Sequence, residues 1–499
     1  MTLQLVDHLV KTLNSAGIVY CHWKSNFSLT QALDAKMDLD LLVERKSLSQ
    51  VLAILMDLGF KPAIVRWGPG TPGVSHWYGL DSQTSQLVHV HLFSRVLTGE
   101  SLVKSHLLPF EPMLLENADC VGQIRVTAKS AELVLFIVRM FIKYGSLLDL
   151  MVLRRHSEAI QMELRWLQDG SDLSKALCLL ERYCPVIDEP LFIKCIDTLS
   201  ESSSLVERVS VARQVRRSLR VYARYTGFGL LLAYAQLFWG QVQRRVGGNK
   251  KNKILQVGGT IIAFVGPDAT GKSTLVSTCG CWLGETFAVR TVHAGRPPSS
   301  WLTMPVNGIL ALARRMLAPL RASRPEANGA SSNPIRSQPQ AEGLAGLIYA
   351  LRAVALAWDR RQLLIKARRS AANGEIVISD RYPSEAIGAM DSPRLREDRT
   401  KSGMTSAVHN GLARLEHRLY RQIPPPDVVL RLKVSTETAI ERNRVRIKAG
   451  KETEEYIESR HRQNREWYMT GTKYIYDIDT DKPLAETIHT VKRLIWESL

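Results

Sequence analysis

Apolar runs and helical patterns alternate along the second half of the chain, from about residue 254 to residue 499. Five short runs rich in Val and Ile predict buried strands: TIIAFVG, FAVRTVHAG, GEIVISD, PDVVLRLKV and YIYDID. The segments between them suit the helices that connect parallel strands. This half therefore predicts an α/β fold with a doubly wound parallel sheet. One insert, residues 321–343, is rich in Pro, Ser, Ala, Asn and Gly and predicts a disordered surface segment.

Residues 1–145 predict a smaller α/β domain. The segment MTLQLVDHLVKTLNSAG has the periodicity of an amphipathic helix, and GIVYCHW predicts a strand after it. The next strand, DLDLLV, places Asp38 and Asp40 on one face, because side chains two apart in a strand point the same way. A later strand, SQLVHVHLF, aligns His89 and His91 in the same manner. Two strands of this domain therefore carry polar side chains on a single face.

Residues 146–253 predict a helical, basic connector between the two domains. The segment from Glu201 to Lys253 carries eleven Lys or Arg and two Glu, which supplies half of the net charge of +18. Spacings of 4, 3 and 4 residues line four arginines along one face of the predicted helix: Arg213, Arg217, Arg220 and Arg224. The sequence GGNKKNK then predicts a polar linker.

An uncharged run, Tyr225 to Gln243, follows these arginines. Its 19 residues could just span a bilayer, but its glycines and glutamines favour a helix in a membrane interface or in a core. On a membrane, the basic region 208–245 would contact anionic head groups. A solvated basic face on a domain-bridging helix is the simpler alternative, and nucleic acid is the least favoured partner.

The composition is that of an ordinary globular protein, with 45% hydrophobic and 23% charged residues. The seven cysteines form no C-x-x-C pair and no zinc-spaced cluster, which favours reduced thiols. The N-terminus shows no basic export signal. We therefore expect a cytoplasmic protein, with peripheral membrane binding through the basic region as an open alternative. The sequence allows a homodimer without deciding the oligomeric state.

The loop GPDATGKST, residues 266–274, follows the first strand of the second half. Its glycines let the backbone curl so that successive N–H groups face phosphate oxygens. In such a loop the lysine reaches the β and γ phosphates of a nucleoside triphosphate, and the hydroxyl after it binds Mg²⁺. The sequence therefore predicts a site for a nucleoside triphosphate and Mg²⁺, with the nucleotide-binding residues Gly266, Asp268, Ala269, Thr270, Gly271, Lys272, Ser273 and Thr274.

Two further segments extend this prediction. The strand GEIVISD ends in DRY, residues 380–382, at the edge where doubly wound sheets bind ligands. A carboxylate there can hold Mg²⁺ through water, and an arginine can hold a phosphate group. Farther on, a segment that contains Arg442, Arg444 and Arg446 predicts either a solvated helix face or a lid that closes over the transferring phosphoryl group.

In these motifs the second half resembles the thymidylate kinase family of P-loop nucleoside monophosphate kinases. The resemblance rests on GPDATGKST, on RP at 296–297, on DRRQ at 359–362, on DRY, and on the arginine-bearing helix after PDVVLRLKV. It covers about 245 residues. It implies phosphoryl transfer from ATP to a nucleoside monophosphate, which is a small-molecule phosphate acceptor.

The resemblance also implies roles for single residues. Asp268 would contact the acceptor sugar, Arg296 and Arg381 would hold the acceptor phosphate, and Tyr382 would lie beside them. Arg442 would lie near the adenine of ATP. The catalytic residues that it implies are Lys272, Asp380, Arg381, Arg444 and Arg446, with Ser273 and Asp380 at the Mg²⁺.

The chain departs from this family in two places. The segment after DRY, PSEAIGAMDSPRL, lacks the residues with which the family reads thymine. The phosphate loop also lacks the arginine that some members carry between Asp268 and Gly271, so a catalytic arginine would come from the lid. The identity of the acceptor therefore stays open.

Near the N-terminus, HWKSN at 22–26 and DLDLLV at 38–43 resemble the nucleotidyltransferase superfamily. The resemblance implies that Ser25 belongs to a site in which Asp38 and Asp40 hold metal ions that bridge a triphosphate. Lys24 stands where glycine is usual, and histidines occupy the strand where a third acid is expected. A solvated strand edge is the alternative interpretation of the acid pair.

Two other functions stay open from the sequence. One is a kinase of a sugar or glycan precursor, because Asp268 could orient many hydroxyl groups. The other is a non-catalytic, nucleotide-dependent module that docks on a membrane or on nucleic acid through the basic region.

Overall fold

The computed structural model divides the chain into two compact units, Met1–Gln256 and Val257–Leu499. The residues that it describes are 2–66, 70–99, 103–143, 147–200, 205–225, 227, 229, 232–236, 238–239, 242, 253–300, 303–304, 308, 344–385, 391–397, 404–445, 454–455, 458 and 467–499. The predicted disordered insert, 321–343, lies outside them.

The first unit is built on a mixed sheet of eight strands in the order β10-β3-β4-β5-β2-β1-β9-β8. The pairs β2–β5 and β1–β9 are parallel, and the other pairs are antiparallel. A small separate hairpin pairs β6 with β7. The strands are β1 (Tyr20–His22), β2 (Leu39–Val43), β3 (Lys61–Val65), β4 (Val74–Leu80), β5 (Leu87–Phe93), β6 (Val96–Thr98), β7 (His106–Leu108), β8 (Ala118–Val121), β9 (Ile124–Thr127) and β10 (Lys253–Leu255).

Helices cover both faces of this sheet. Leu41 packs with the apolar faces of α1 and α3, whereas its neighbour Leu42 lies in a second core with the later helices. This is the two-residue period of a strand. The helices are α1 (Gln4–Ser15), α2 (Leu29–Leu33), α3 (Leu48–Asp57), α4 (Glu111–Glu116), α5 (Lys129–Lys143), α6 (Leu147–Gly170), α7 (Leu173–Tyr183), α8 (Glu189–Ser200) and α9 (Leu205–Ser218).

The helices that we predicted as a connector belong to the first unit. Leu164, Phe192 and Val215, from α6, α8 and α9, lie in the same core as Phe93 of the sheet. The apolar faces of these helices must be buried, and they are buried against the face of the sheet that α1 and α3 do not cover. The strand β10 begins at Lys253, the last residue of the predicted linker, and pairs with β3 at the sheet edge. The boundary between the two units lies after residue 256, so the described helices and the strand of the predicted connector belong to the first unit.

The predicted stripe of four arginines is interrupted. Helix α9 ends at Ser218, and Leu219–Tyr222 forms a 3₁₀ turn. Beyond the turn, Arg224 donates from its backbone N–H to the carbonyl oxygen of Ser105 at 2.8 Å and from Nη1 to that of Lys104 at 3.0 Å. No helix in the described part of the chain is long and apolar enough to cross a membrane.

The second unit contains five parallel strands in the order β12-β13-β11-β14-β15, which confirms the predicted doubly wound α/β fold. All five residues of β11 are buried, because a central parallel strand is covered on both faces. The strands are β11 (Ile261–Val265), β12 (Val289–His293), β13 (Ile376–Asp380), β14 (Val428–Lys433) and β15 (Tyr474–Asp479).

The direction of the strand order changes at β11, so the carboxyl ends of β11 and β13 lie side by side. Such a switch point is where doubly wound sheets bind ligands. The strands alternate along the chain with the helices α10 (Lys272–Gly284), α11 (Leu344–Ala372), α12 (Met404–Arg421), α13 (Thr436–Val445) and α14 (Leu484–Ser498).

Candidate active site

The loop after β11 has the backbone that its sequence predicts. A side chain at Gly266 would place its Cβ 2.6 Å from the carbonyl oxygen of Leu432, so only glycine fits beside β14. Gly271 has a φ of 82° and caps the N-terminus of α10. Between them, Thr270 is buried and donates from Oγ1 to the carbonyl oxygen of Pro267 at 2.9 Å. The N-terminus of α10 therefore lies at the end of the loop. The backbone N–H groups and the positive end of the helix dipole at this position favour an anion.

Lys272 is the first residue of α10 and is buried beside the loop. Its ammonium group donates to the carbonyl oxygen of Pro267. Burial, together with the positive charge of Arg381, lowers the pKa of Lys272 to about 8. A phosphate group near Lys272 would stabilise the charged form that burial disfavours. Thr274, two residues later, is exposed.

Ser273 and Asp380 come together, although they lie on different elements. Ser273 Oγ donates to Asp380 Oδ2 at 3.1 Å. The other oxygen, Asp380 Oδ1, is buried and has no hydrogen-bond partner among the described residues. A hydroxyl and a carboxylate with a buried oxygen to satisfy are suitable ligands for Mg²⁺, directly or through water.

Mg²⁺ at such a loop takes its remaining ligands from phosphates and water. Within the described residues no group of three or more His, Cys, Asp or Glu could hold a metal. The pair of Ser273 and Asp380 therefore fits a Mg²⁺ that arrives with a nucleotide. It does not form a metal cage made by the protein alone.

Asp268 and Arg381 form an ion pair on the other side of the loop. Arg381 Nη2 lies 2.9 Å from Asp268 Oδ1, and both side chains are partly exposed. Arg381 has a φ of 71°, which is costly for a residue other than glycine. A Cβ at Gly295 would lie 2.5 Å from Arg381 Cδ, so a glycine at this position makes room for the guanidinium. The strained backbone directs this arginine toward the phosphate loop.

Two residues that we did not predict extend this ion pair into the core. Asp391 Oδ2 lies 3.8 Å from Arg381 Nη1, and Asp391 Oδ1 lies 2.8 Å from Arg360 Nη2. Arg360 is fully buried and also donates to the carbonyl oxygen of Ala294 at 2.8 Å. The four charged groups alternate in sign from Asp268 to Arg360. Only the DRRQ motif at 359–362 pointed to Arg360, and no sequence signal pointed to Asp391.

The structure does not support the acceptor contact that we predicted for Tyr382. Its ring is buried in the core of the second unit, and its hydroxyl donates to the carbonyl oxygen of Pro424 at 2.6 Å. The tyrosine is therefore a packing residue, because the backbone turn at Arg381 separates the directions of the two side chains. Arg296 lies exposed after β12, and its side chain stays a candidate for the acceptor phosphate.

The arginines of the predicted lid have contacts of their own. Arg442, on α13, donates from Nη2 to the carbonyl oxygen of Thr480 at 2.6 Å, which ties α13 to the loop after β15. Arg444 is exposed and pairs with Glu454, its Nε lying 3.0 Å from Oε1. Arg446 lies outside the described residues. The lid role of these arginines remains a prediction.

The acid pair of the first unit is partnered by basic side chains. Asp40 Oδ1 lies 2.8 Å from Lys24 Nζ and 3.1 Å from His91 Nδ1. Asp38 Oδ1 lies 2.6 Å from His89 Nδ1. The structure thus places the predicted histidines beside the predicted acids, with a lysine ammonium in direct contact with Asp40.

Comparison with known proteins adds little to this geometry. A scan against protein-family models found no match, and a search of curated proteins found no significant match. Among solved structures, the chain is similar in part to deoxyadenosine kinase from M. mycoides with bound dATP. The identity is 16%, the TM-score is 0.26, and the similarity covers 47% of this chain and 98% of that chain. A likeness of this size supports no functional argument.

The buried ion pair of Arg360 and Asp391 predicts that a substitution there destabilises the protein more than one at a surface ion pair does. We expect Asp391→Asn to lower the free energy of unfolding by about 3 kcal/mol or more, because the buried Arg360 loses its compensating charge. Asp477→Asn is the matched control, since Asp477 pairs with Arg431 and Lys433 at the surface and should cost less than about 1 kcal/mol. Denaturant unfolding measures both losses. Equal losses in the two variants would contradict a larger contribution of the buried Arg360–Asp391 pair to stability.

The lowered pKa of Lys272 predicts proton uptake on nucleotide binding. Phosphates raise the pKa of Lys272 from about 8, so above pH 8 ATP binding should take up most of one proton and weaken as the pH rises. Calorimetric titration at pH 8.5 in buffers of different ionisation enthalpy measures this uptake. Lys272→Arg should bind ATP without it, because arginine keeps its charge. Equal uptake by both proteins would assign the proton to another group.

Proposed function

We propose that the second unit transfers the γ-phosphoryl group of ATP to a phosphate-bearing acceptor, with nucleoside monophosphates as the favoured class. The observation that carries this proposal is the 3.1 Å contact between Ser273 and Asp380 beside the buried Lys272. A glycine loop alone would serve many purposes. A loop whose lysine, hydroxyl and facing carboxylate converge is suited to a nucleotide with its Mg²⁺.

The residues on the ATP side neutralise and orient the phosphates. The Lys272 ammonium leaves the carbonyl oxygen of Pro267 and bonds to the phosphates, and the N–H groups of the loop cradle them. Ser273 and Asp380 would hold Mg²⁺, which would supply charge neutralisation to the bound phosphates. Arg442 is the candidate neighbour of the adenine.

The residues on the acceptor side are preorganised by their own ion pair. Asp268 and Arg381 already contact each other, and Asp391 limits the freedom of the Arg381 guanidinium. An acceptor with a phosphate and a sugar hydroxyl matches this pair, because the phosphate binds Arg381 and the hydroxyl donates to Asp268. Arg296 adds a second cation for the acceptor phosphate.

Transfer by these residues needs no general base. A phosphate oxygen of the acceptor is ionised at neutral pH and attacks the γ-phosphorus in line. The bond from that phosphorus to the oxygen bridging it to the β-phosphate breaks, and ADP leaves. Lys272, Arg381 and the lid arginines stabilise the charge on the transferring group. Catalysis is therefore positioning and charge neutralisation.

A kinase of a sugar or glycan precursor stays an alternative, because Asp268 and Arg381 recognise a hydroxyl and a phosphate without reading a base. A non-catalytic docking module is favoured by one observation. Phe238 and Trp239 in the basic region are 70% and 62% exposed, as expected of side chains that enter an anionic membrane. Salt-dependent vesicle binding without turnover of any acceptor would favour this module over a kinase.

The first functional test is Lys272→Ala. We expect this variant to lose about a hundredfold or more in the rate of phosphoryl transfer, because it loses a preorganised charge at the transferring group. Lys433→Ala is the control, since Lys433 is an exposed partner of Asp477 and should retain the wild-type rate. Transfer from labelled ATP measures both, with melting temperatures to verify folding. A near wild-type rate for Lys272→Ala would refute the kinase assignment.

The second test concerns the acceptor. The segment PSEAIGAMDSPRL lacks the residues with which the thymidylate kinase family reads thymine, while Asp268 and Arg381, the residues proposed to bind the sugar and the phosphate, are present. We therefore expect dTMP to be preferred over the best alternative by no more than about tenfold in kcat/KM, because a lost base contact forfeits most of the discrimination. A panel of dTMP, dUMP, dGMP, dCMP and sugar phosphates measures it. Exclusive use of dTMP would show that another residue reads thymine.

A further inference from the structure

The segment that follows β12 is fixed to the core at both ends by residues of the DRRQ motif. At its start, Ala294 donates from its backbone N–H to the carbonyl oxygen of Asp380 at 3.0 Å, and its own carbonyl oxygen accepts from Arg360 Nε at 2.8 Å. At its end, Ser300 donates from its backbone N–H to Asp359 Oδ1 at 2.9 Å. Asp359 and Arg360 are both buried. The segment therefore has a defined position before any ligand binds.

His293, the last residue of β12, lies on the same side of the sheet as the candidate Mg²⁺ ligand. It is opposite Asp380 in the parallel register, and the side chains of paired residues share a face of the sheet. On that face, Asp380 contacts Ser273 of α10. His293 is exposed, and its ring has no hydrogen-bond partner within the described residues. The imidazole is therefore accessible to a ligand at this edge of the sheet.

Gly295 lets the His293 ring and the Arg381 side chain approach the same stretch of backbone. A Cβ at Gly295 would lie 3.1 Å from His293 Cε1 and 2.5 Å from Arg381 Cδ, so both side chains lie over this glycine. Arg296 is exposed, and its backbone N–H donates to the carbonyl oxygen of His293 at 3.3 Å. One short turn thus presents an imidazole and a guanidinium beside Arg381.

Arg381 by itself is poorly suited to hold an anion, because two carboxylates already compensate its charge. Asp268 Oδ1 lies 2.9 Å from its Nη2, and Asp391 Oδ2 lies 3.8 Å from its Nη1. A phosphate monoester presents three strong acceptor oxygens and needs further donors. The turn after β12 supplies them, because an imidazole N–H and a guanidinium both donate. An uncharged hydroxyl would leave most of these donors without an acceptor.

We propose that His293 binds the phosphate group of the acceptor, together with Arg296 and Arg381, and selects a phosphate monoester over an unphosphorylated sugar or nucleoside. This inference rests on the proposed function and adds to it a residue that recognises the acceptor phosphate. Asp359 and Arg360 are positioning residues in this arrangement, since they hold the turn from the core.

Carbethoxylation of His293 by diethyl pyrocarbonate, read by mass spectrometry of the full chain, tests this contact without turnover. A non-hydrolysable ATP analogue with Mg²⁺ occupies the phosphate loop throughout, so that added esters report on the acceptor site. We expect at least one of dTMP, dUMP, dGMP, dCMP and glucose 1-phosphate to slow the labelling of His293 severalfold, whereas the parent nucleosides and glucose do not.

Unchanged labelling with all five esters, or equal protection by the unphosphorylated compounds, would overturn the inference. Protection in a protein that transfers no phosphoryl group would support phosphate recognition by His293 while refuting the kinase function. Failure of the inference is therefore distinguishable from failure of the proposed function.

Variants separate the hydrogen bond from the shape of the ring. His293→Phe should weaken binding of the protecting ester by about tenfold or more, the value of one charge-assisted hydrogen bond, and leave the affinity for the ATP analogue unchanged. His293→Gln keeps an N–H donor and should retain most of the affinity. Thr291→Val is the matched control, since Thr291 lies exposed two residues earlier on the same face of β12. Calorimetric titration measures the dissociation constants, and wild-type affinity in His293→Phe would overturn the inference.

Discussion

The parallel pairing of β11 with β13 is the constraint on which the candidate active site depends. Phe264 lies opposite Asp380 in this register, and the backbone N–H of Arg381 donates to the carbonyl oxygen of Phe264 at 3.0 Å. The pairing places the end of one strand, which continues into the phosphate loop, beside the end of the other, which carries the acid and the arginine. A shift of one residue would turn these side chains to the opposite faces. The contact between Ser273 and Asp380 follows from the register.

Charge in the second unit is organised as a chain of alternating sign. Asp268, Arg381, Asp391 and Arg360 lead from the phosphate loop to the core; the first two side chains are partly exposed, and the last two are buried. The buried end has little conformational freedom, because Arg360 is surrounded by acceptors. Each charged group therefore limits the next, and the partly exposed pair at the loop stays ordered before any ligand binds. Such preorganisation is what electrostatic catalysis requires.

The first unit uses charge in a different way. Its strand acids, Asp38 and Asp40, pair with His89 and Lys24 of the same chain. Local patterns predicted the polar face of the sheet well, because alternation along a strand determines which side chains share a face. The presence of a lysine at position 24 was visible in the sequence, but its consequence was not. Whether the ammonium points at Asp40 or at solvent depends on Trp23 and Phe93, which pack beside it.

The sequence by itself determined the parallel sheet and the phosphate loop. Apolar runs of strand length must be covered on both faces, and the glycine positions permit backbone angles that other residues disfavour. The tertiary structure alone decided which side chains meet. Arg381 and Tyr382 are neighbours in sequence, yet one faces the loop and the other lies in the core. Asp391 joined the site without any local signal, because its partners come from distant segments that only packing brings together.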